Sequence, residues 1–151
     1  MKFLYYGRKL TDADVHAIVS TESGSFSAYP VYGLNCPSES ALSVQHEDGN
    51  MTLQMEVIGV ETTHQEKANL TVISLKDKVY PFYVKLCYKA YQDVDVIEAW
   101  TEISHKEKKN VKLNQFASAY LPVRKGNVWL SSLYGAWANE ARLVQEPLEP
   151  G

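Results

Sequence analysis

An antiparallel all-β sandwich is the fold this sequence predicts, on three observations. Apolar residues alternate with period two along several segments, polar turns arrive about every ten residues, and no long window keeps a helical period behind a cap. With 151 residues, 45% hydrophobic and 22% charged, the chain has the profile of one ordinary globular domain able to bury a core.

Taken in order, Thr11 to Val19 is the segment nearest to a helix. Thr11, Asp12 and Asp14 suit the start of a short helical turn, while Val15, Ile18 and Val19 fit a strand equally well. Leu53 to Val60 and Leu70 to Leu75 read as strands rich in β-branched or apolar residues. From Pro81 to Tyr91 one face carries Phe82, Val84, Leu86, Tyr88 and Ala90, and the other carries Tyr83, Lys85, Cys87, Lys89 and Tyr91. Val94 to Ile103 alternates in the same way. Turn-forming residues separate these runs at 47–50, 76–78, 92–93, 106–110 and 125–127. The expected core includes Leu70, Val72, Val84, Leu86, Ile97, Leu113 and Trp129, with almost no helix. Val144 to Gly151, with Pro147 and Pro150, reads as a connection, so some sheet edges and apolar patches are expected to lie uncovered.

The net charge is −3, and the densest basic stretch, Lys106 to Lys112, is interrupted by Glu107, Asn110 and Val111. A nucleic-acid footprint needs a concentrated basic face, so this run reads as a solvated turn. No apolar run approaches the roughly 20 residues of a membrane span, and the start Met1-Lys2-Phe3 lacks an apolar signal region. The chain therefore reads as cytoplasmic, a removed leader aside. Cys36 sits in a Pro-containing loop and Cys87 in a strand pattern, so no disulfide framework is expected. The sequons at Asn50 and Asn69 are short enough to arise by chance.

Glycoside hydrolysis needs two carboxylates facing each other across the scissile bond. Asp12/Asp14, Asp93/Asp95 and Glu98/Glu102 are close in sequence, but the second pair lies in a turn and the third on the polar face of a strand. Neither position calls for acid/base work, so no catalytic residue is expected in this chain. His16, His46, His64 and His105 lack zinc-site spacing and no Cys-x-x-Cys occurs, so neither metal nor cofactor is expected. Nucleophile and phosphate-loop motifs are missing too. The aromatics say more. Tyr29, Tyr32, Trp129, Tyr134 and Trp137 sit near Gly or Pro, where flat rings suit sugar stacking or a protein interface, although alternating aromatics equally fill a sandwich core.

Tyr29 to Gly33, Leu70 to Asp77, Val84 to Ile97, Phe116 to Pro122 and Leu133 to Glu140 form an ordered series of motifs, and that series resembles the N-terminal domain of bacterial α-galactosidases of glycoside hydrolase family 36. Tyr29-Pro30-Val31-Tyr32-Gly33 is similar to an early Tyr-Pro-x-Tyr-Gly element, and Leu70 to Asp77 to a "tL-x-v-x-L-x-D" strand. Val84 to Ile97 resembles "v-x-L-x-Y-x-v-x-x-d-x-d-v-I", Phe116 to Pro122 an "aSa-x-ld-x-P" segment, and Leu133 to Glu140 "l-x-G-x-W-x-x-E". Two positions depart from the pattern: Ala99 stands where a basic residue is usual, and Ala141 where Arg is usual, with Arg142 one place later.

The resemblance implies that residues 1–151 are a single N-terminal β-sandwich domain, or a fragment of one, within a β-supersandwich of the galactose mutarotase-like kind. A catalytic (β/α)₈ barrel, absent from this chain, would follow and carry two catalytic aspartates. The implied partners are that barrel, further copies in a homo-oligomer, and the carbohydrate substrate of the parent. Family members bring N-terminal loops close to a neighbour's active site, which makes Tyr29, Tyr32 and Trp137 the substrate-proximal or interface candidates. An independent carbohydrate-binding or lectin-like sandwich is the alternative, and it requires an exposed aromatic platform on one complete sheet.

Overall fold

The computed structural model describes residues 10–21, 27–33, 39–117, 120–121 and 127–148. In these stretches lie one helix, α1 (Asp12–Thr21), and eight strands: β1 (Leu42–Gln45), β2 (Met55–His64), β3 (Ala68–Asp77), β4 (Phe82–Tyr91), β5 (Ile97–His105), β6 (Lys112–Phe116), β7 (Trp129–Ala136) and β8 (Asn139–Pro147). All strand pairs are antiparallel. The chain divides into two compact units, residues 1–121 and 122–151.

The first segment resolves as a helix because Thr11 caps it. The Thr11 hydroxyl donates to the Asp14 carboxylate at 2.6 Å, and the Asp14 backbone N–H points back at the Thr11 oxygen at 3.3 Å. With the Thr11 backbone N–H also donating to the Asp14 carboxylate at 3.3 Å, these bonds satisfy the N–H groups of both residues and hold the Asp14 carboxyl below its usual range.

In the first unit β2, β3, β4 and β5 form a four-stranded meander in that order, and β1 pairs with β6 in a separate ribbon. The register puts Val84 level with Leu75 and Ile103, and Leu86 level with Ile73. Those side chains share a face with Phe82, and Leu42 and Val44 of the ribbon join the same buried cluster with Leu53. Two antiparallel layers closing on one apolar cluster make the all-β sandwich that the alternation predicts. Beyond the ribbon the same face stays open, with Val57, Val60 and Ile97 exposed.

The expected core holds for Val84 and Leu86, which are buried. Leu70 and Val72 are half-buried on the opposite face. Ile97, Leu113 and Trp129 are corrections: they are 56%, 51% and 60% exposed. Ile97 lies on an edge strand past the reach of the ribbon, Leu113 lies on the ribbon's own edge, and Trp129 belongs to the second unit. Period two identifies a face of a strand. It does not say whether anything covers that face.

The second unit is the hairpin β7–β8, in which Leu133 pairs with Leu143 and Ala136 with Asn139. Both its faces carry apolar side chains, and every residue of both strands is exposed. The turn places Ala138 at φ 63°, and within β8, opposite the register shift between Tyr134 and Ala136, Ala141 stands at φ 57°, left-handed conformations that cost a residue with a Cβ.

Candidate functional site

The segment 29–33 is held by backbone hydrogen bonds on both sides. The Ala41 N–H donates to the Pro30 carbonyl at 2.8 Å, the Tyr32 N–H to Leu42 at 2.9 Å, and the Leu53 N–H to Tyr32 at 2.9 Å. Val31 bridges to Leu42 in parallel. The loop is thus bonded between the start of β1 and the strand-like run before β2. Gly33 completes it: with φ 141°, an added Cβ would lie 2.9 Å from Thr52 Cγ2 and 3.0 Å from the Leu53 backbone. Only glycine fits that approach.

This frame sends its two tyrosines in opposite directions. Tyr29 packs against the core cluster. Burial pushes its phenol up to about 12, with the nearby Thr101 hydroxyl opposing the shift, and among the described residues the buried Tyr29 hydroxyl has no hydrogen-bond partner that meets distance and angle together. Tyr32, three residues on, is 49% exposed. A ring on a backbone fixed by hydrogen bonds meets a partner with little loss of entropy. Trp137 occupies the β7–β8 turn of the second unit and is 96% exposed. Asn35, Cys36 and Pro37, which extend the loop in sequence, lie outside the described residues.

The paired acids take separate places. Asp12 and Asp14 sit in the first turn of α1, and Asp93 and Asp95 lie in the exposed bend before β5. Glu98 and Glu102 lie four residues apart on one face of β5, a separation of roughly 13 Å along a strand. That exceeds the span of about 5 to 9.5 Å within which two carboxylates work on one glycosidic bond. Each is also engaged by an aromatic neighbour: the Tyr91 hydroxyl donates to Glu98 at 3.1 Å, and the Trp100 indole N–H to Glu102 at 3.2 Å.

A second cluster was not legible in the sequence. His46, at the end of β1, is buried and lies 2.8 Å through Nδ1 from Glu107. Its ring stacks on Tyr80 at 3.6 Å and meets Phe82 edge-on. The Tyr80 hydroxyl donates to Asp48 at 2.6 Å, which raises the phenol and lowers the carboxyl from their ordinary values. These contacts join the 46–50 turn to the loops before β4 and after β5, beside a shallow groove of about 410 Å³ lined by Gln45, His46, Glu47, Lys109, Asn110 and Lys112. The His46–Glu107 partnership spans 61 residues, a distance over which no local pattern signals it. Among the described residues no group of three or more His, Cys, Asp or Glu side chains is placed to hold a metal ion. No helix among them is long and apolar enough to cross a membrane.

The sandwich and its Tyr-Pro-x-Tyr-Gly loop define a class of protein: the glycosyl hydrolase family 36 N-terminal domain matches residues 1–151. The chain belongs to that family. Solved structures agree. The family 36 α-galactosidase AgaB of Geobacillus stearothermophilus is 26% identical with a TM-score of 0.71, over 82% of this chain and 19% of its own. The α-galactosidase of Lactobacillus brevis is 22% identical with a TM-score of 0.76, over 84% and 19%. The galactosidase domain of the α-galactosidase-sucrose kinase AgaSK is 22% identical with a TM-score of 0.81, over 98% and 25%. The chain thus spans about a fifth to a quarter of these proteins. No curated protein matches it.

Proposed function

We propose that this chain is the non-catalytic N-terminal sandwich of a retaining α-galactosidase, and that it packs on the catalytic barrel of the same polypeptide and supports oligomerisation. The observation that carries this reading is the match of the family 36 N-terminal domain across all of residues 1–151. The exposed apolar residues of the open sheet face, and the hairpin with apolar side chains on both faces, suit a piece that other layers of a larger protein cover.

Function then reaches this domain through its presented rings. Tyr32, on its hydrogen-bonded loop, and Trp137, at the hairpin turn, are the contacts to the barrel or to a neighbouring subunit's substrate pocket, while Tyr29 anchors the loop from below. In the full-length enzyme Tyr32→Ala should raise KM for an α-galactoside or weaken oligomer assembly and leave the domain folded. Unchanged KM and unchanged assembly would reduce the loop to a structural part.

An independent carbohydrate-binding module is less well supported. On the outward face of the four-stranded sheet, Lys89 lies over the Tyr91 ring at 5.0 Å and Lys106 over Tyr83 at 5.8 Å, which covers ring faces that a sugar platform needs open.

A further inference from the structure

The outward face of the sheet has a charge pattern that is complementary to itself. On β4 it presents Lys85 and Lys89, and on β5 Glu98 and Glu102, with Lys85 level with Glu102 and Lys89 level with Glu98. Lys85, Glu98 and Glu102 are exposed. Although level, the partners form no ion pair within the chain: the glutamates accept from Tyr91 and Trp100, and Lys89 turns to the Tyr91 ring. Between the two rows lie the half-buried Trp100 and the buried Cys87, which are also level. The Cys87 thiol is raised first by burial, and Glu102 adds to the shift while Lys85 opposes it.

We propose that this face is an interface with a second copy of the chain, related by a two-fold axis that runs parallel to the strands between β4 and β5. Rotation about such an axis preserves height along the strands and exchanges the two rows. Lys85 then meets Glu102 of the second copy and Lys89 meets Glu98, each pair twice, while Trp100 lies over the opposite Cys87 at the centre. Face-to-face sheets stand about 10 Å apart, a gap that an extended Lys and Glu bridge from opposite sides. The contact is isologous, as a closed dimer requires, with an aromatic centre and a charged rim. The second copy is the occupant that the oligomer reading above calls for. The experiment below is read on association alone, so it can fail while the parent polypeptide still hydrolyses α-galactosides.

Two double variants test the interface by sedimentation. Lys85→Glu with Lys89→Glu makes all four positions acidic, and Glu98→Lys with Glu102→Lys makes them all basic. The native chain should dimerise at micromolar concentration, more weakly as salt is added. Each variant alone should associate at least about ten-fold more weakly, because like charges now face each other. Mixed in equal amounts, the two should pair with each other at least as tightly as the native chain pairs with itself. Far-ultraviolet dichroism checks folding, and Lys85→Gln with Lys89→Gln gives a charge-removing version that should also weaken association. A native chain that stays monomeric, association indifferent to salt and to these charges, or variants that fail to pair when mixed would each overturn the proposal.

Discussion

The carboxylate of Asp77, at the end of β3, accepts the backbone N–H of Gln54 at 2.6 Å, just ahead of β2. It also accepts the N–H groups of Val79 and Tyr80 at 2.9 and 2.8 Å, and it is 1% exposed. One buried side chain therefore closes the β3–β4 turn and anchors the entry to β2. Asp77→Ala removes three charge-assisted hydrogen bonds and strands their donors, at an expected cost of about 3 kcal/mol. Urea denaturation measures it, and a loss below about 1 kcal/mol would contradict this role.

Gly33→Ala should destabilise the chain by about 2 kcal/mol, since the new Cβ meets the Leu53 backbone in a conformation that side chains avoid. Tyr32→Ala, one residue earlier, removes an exposed ring and should change stability by no more than about 0.5 kcal/mol. Thermal melts of the two variants separate the frame from the group it presents.

Tyr29 gives a prediction at high pH. Its phenol is raised from 10.0 to about 12 in the folded chain, so folding favours the neutral form. That contribution is fully present below pH 10 and is lost as pH rises from 10 toward 12. Tyr29→Phe also removes a buried hydroxyl that has no hydrogen-bond partner among the described residues, and it should be neutral or stabilising at pH 7. Base titration followed by dichroism should show the variant unfolding at higher pH than the native chain. An earlier onset would be the contrary result.

In the hairpin, Ala138→Gly should relieve the left-handed strain at φ 63° and stabilise the turn by about 0.5–1 kcal/mol. Amide exchange of the paired Leu133 and Leu143 should slow in the variant. Faster exchange would show that the turn gains nothing from glycine.

The strands were legible wherever one face is covered and the other wet. In β4, Phe82, Val84 and Leu86 are buried at alternate positions as the pattern predicts. Cys87, on the polar-looking face, is buried as well, because its neighbours there include Trp100, a cross-strand partner that no local pattern supplies. The bulge at Ile58, between Val57 and Gly59, is equally silent in sequence. Helix α1 was ambiguous because its apolar residues fit both periods, and the Thr11–Asp14 cap decided it. Ile97, Leu113 and Trp129 misled because period two registers the face of a strand and not its cover. The Tyr-Pro-x-Tyr-Gly loop was readable as a motif, but that Tyr29 points inward and Tyr32 outward depends on hydrogen bonds to Leu42 and Leu53.

Hydrolysis of a chromogenic α-galactoside by the purified 151-residue chain tests the central claim most directly. The account predicts no turnover above buffer, because the β5 carboxylates stand too far apart along their strand to act on one bond. Turnover that disappears on Asp95→Asn or Glu98→Gln would place a catalytic site inside this domain and contradict the account.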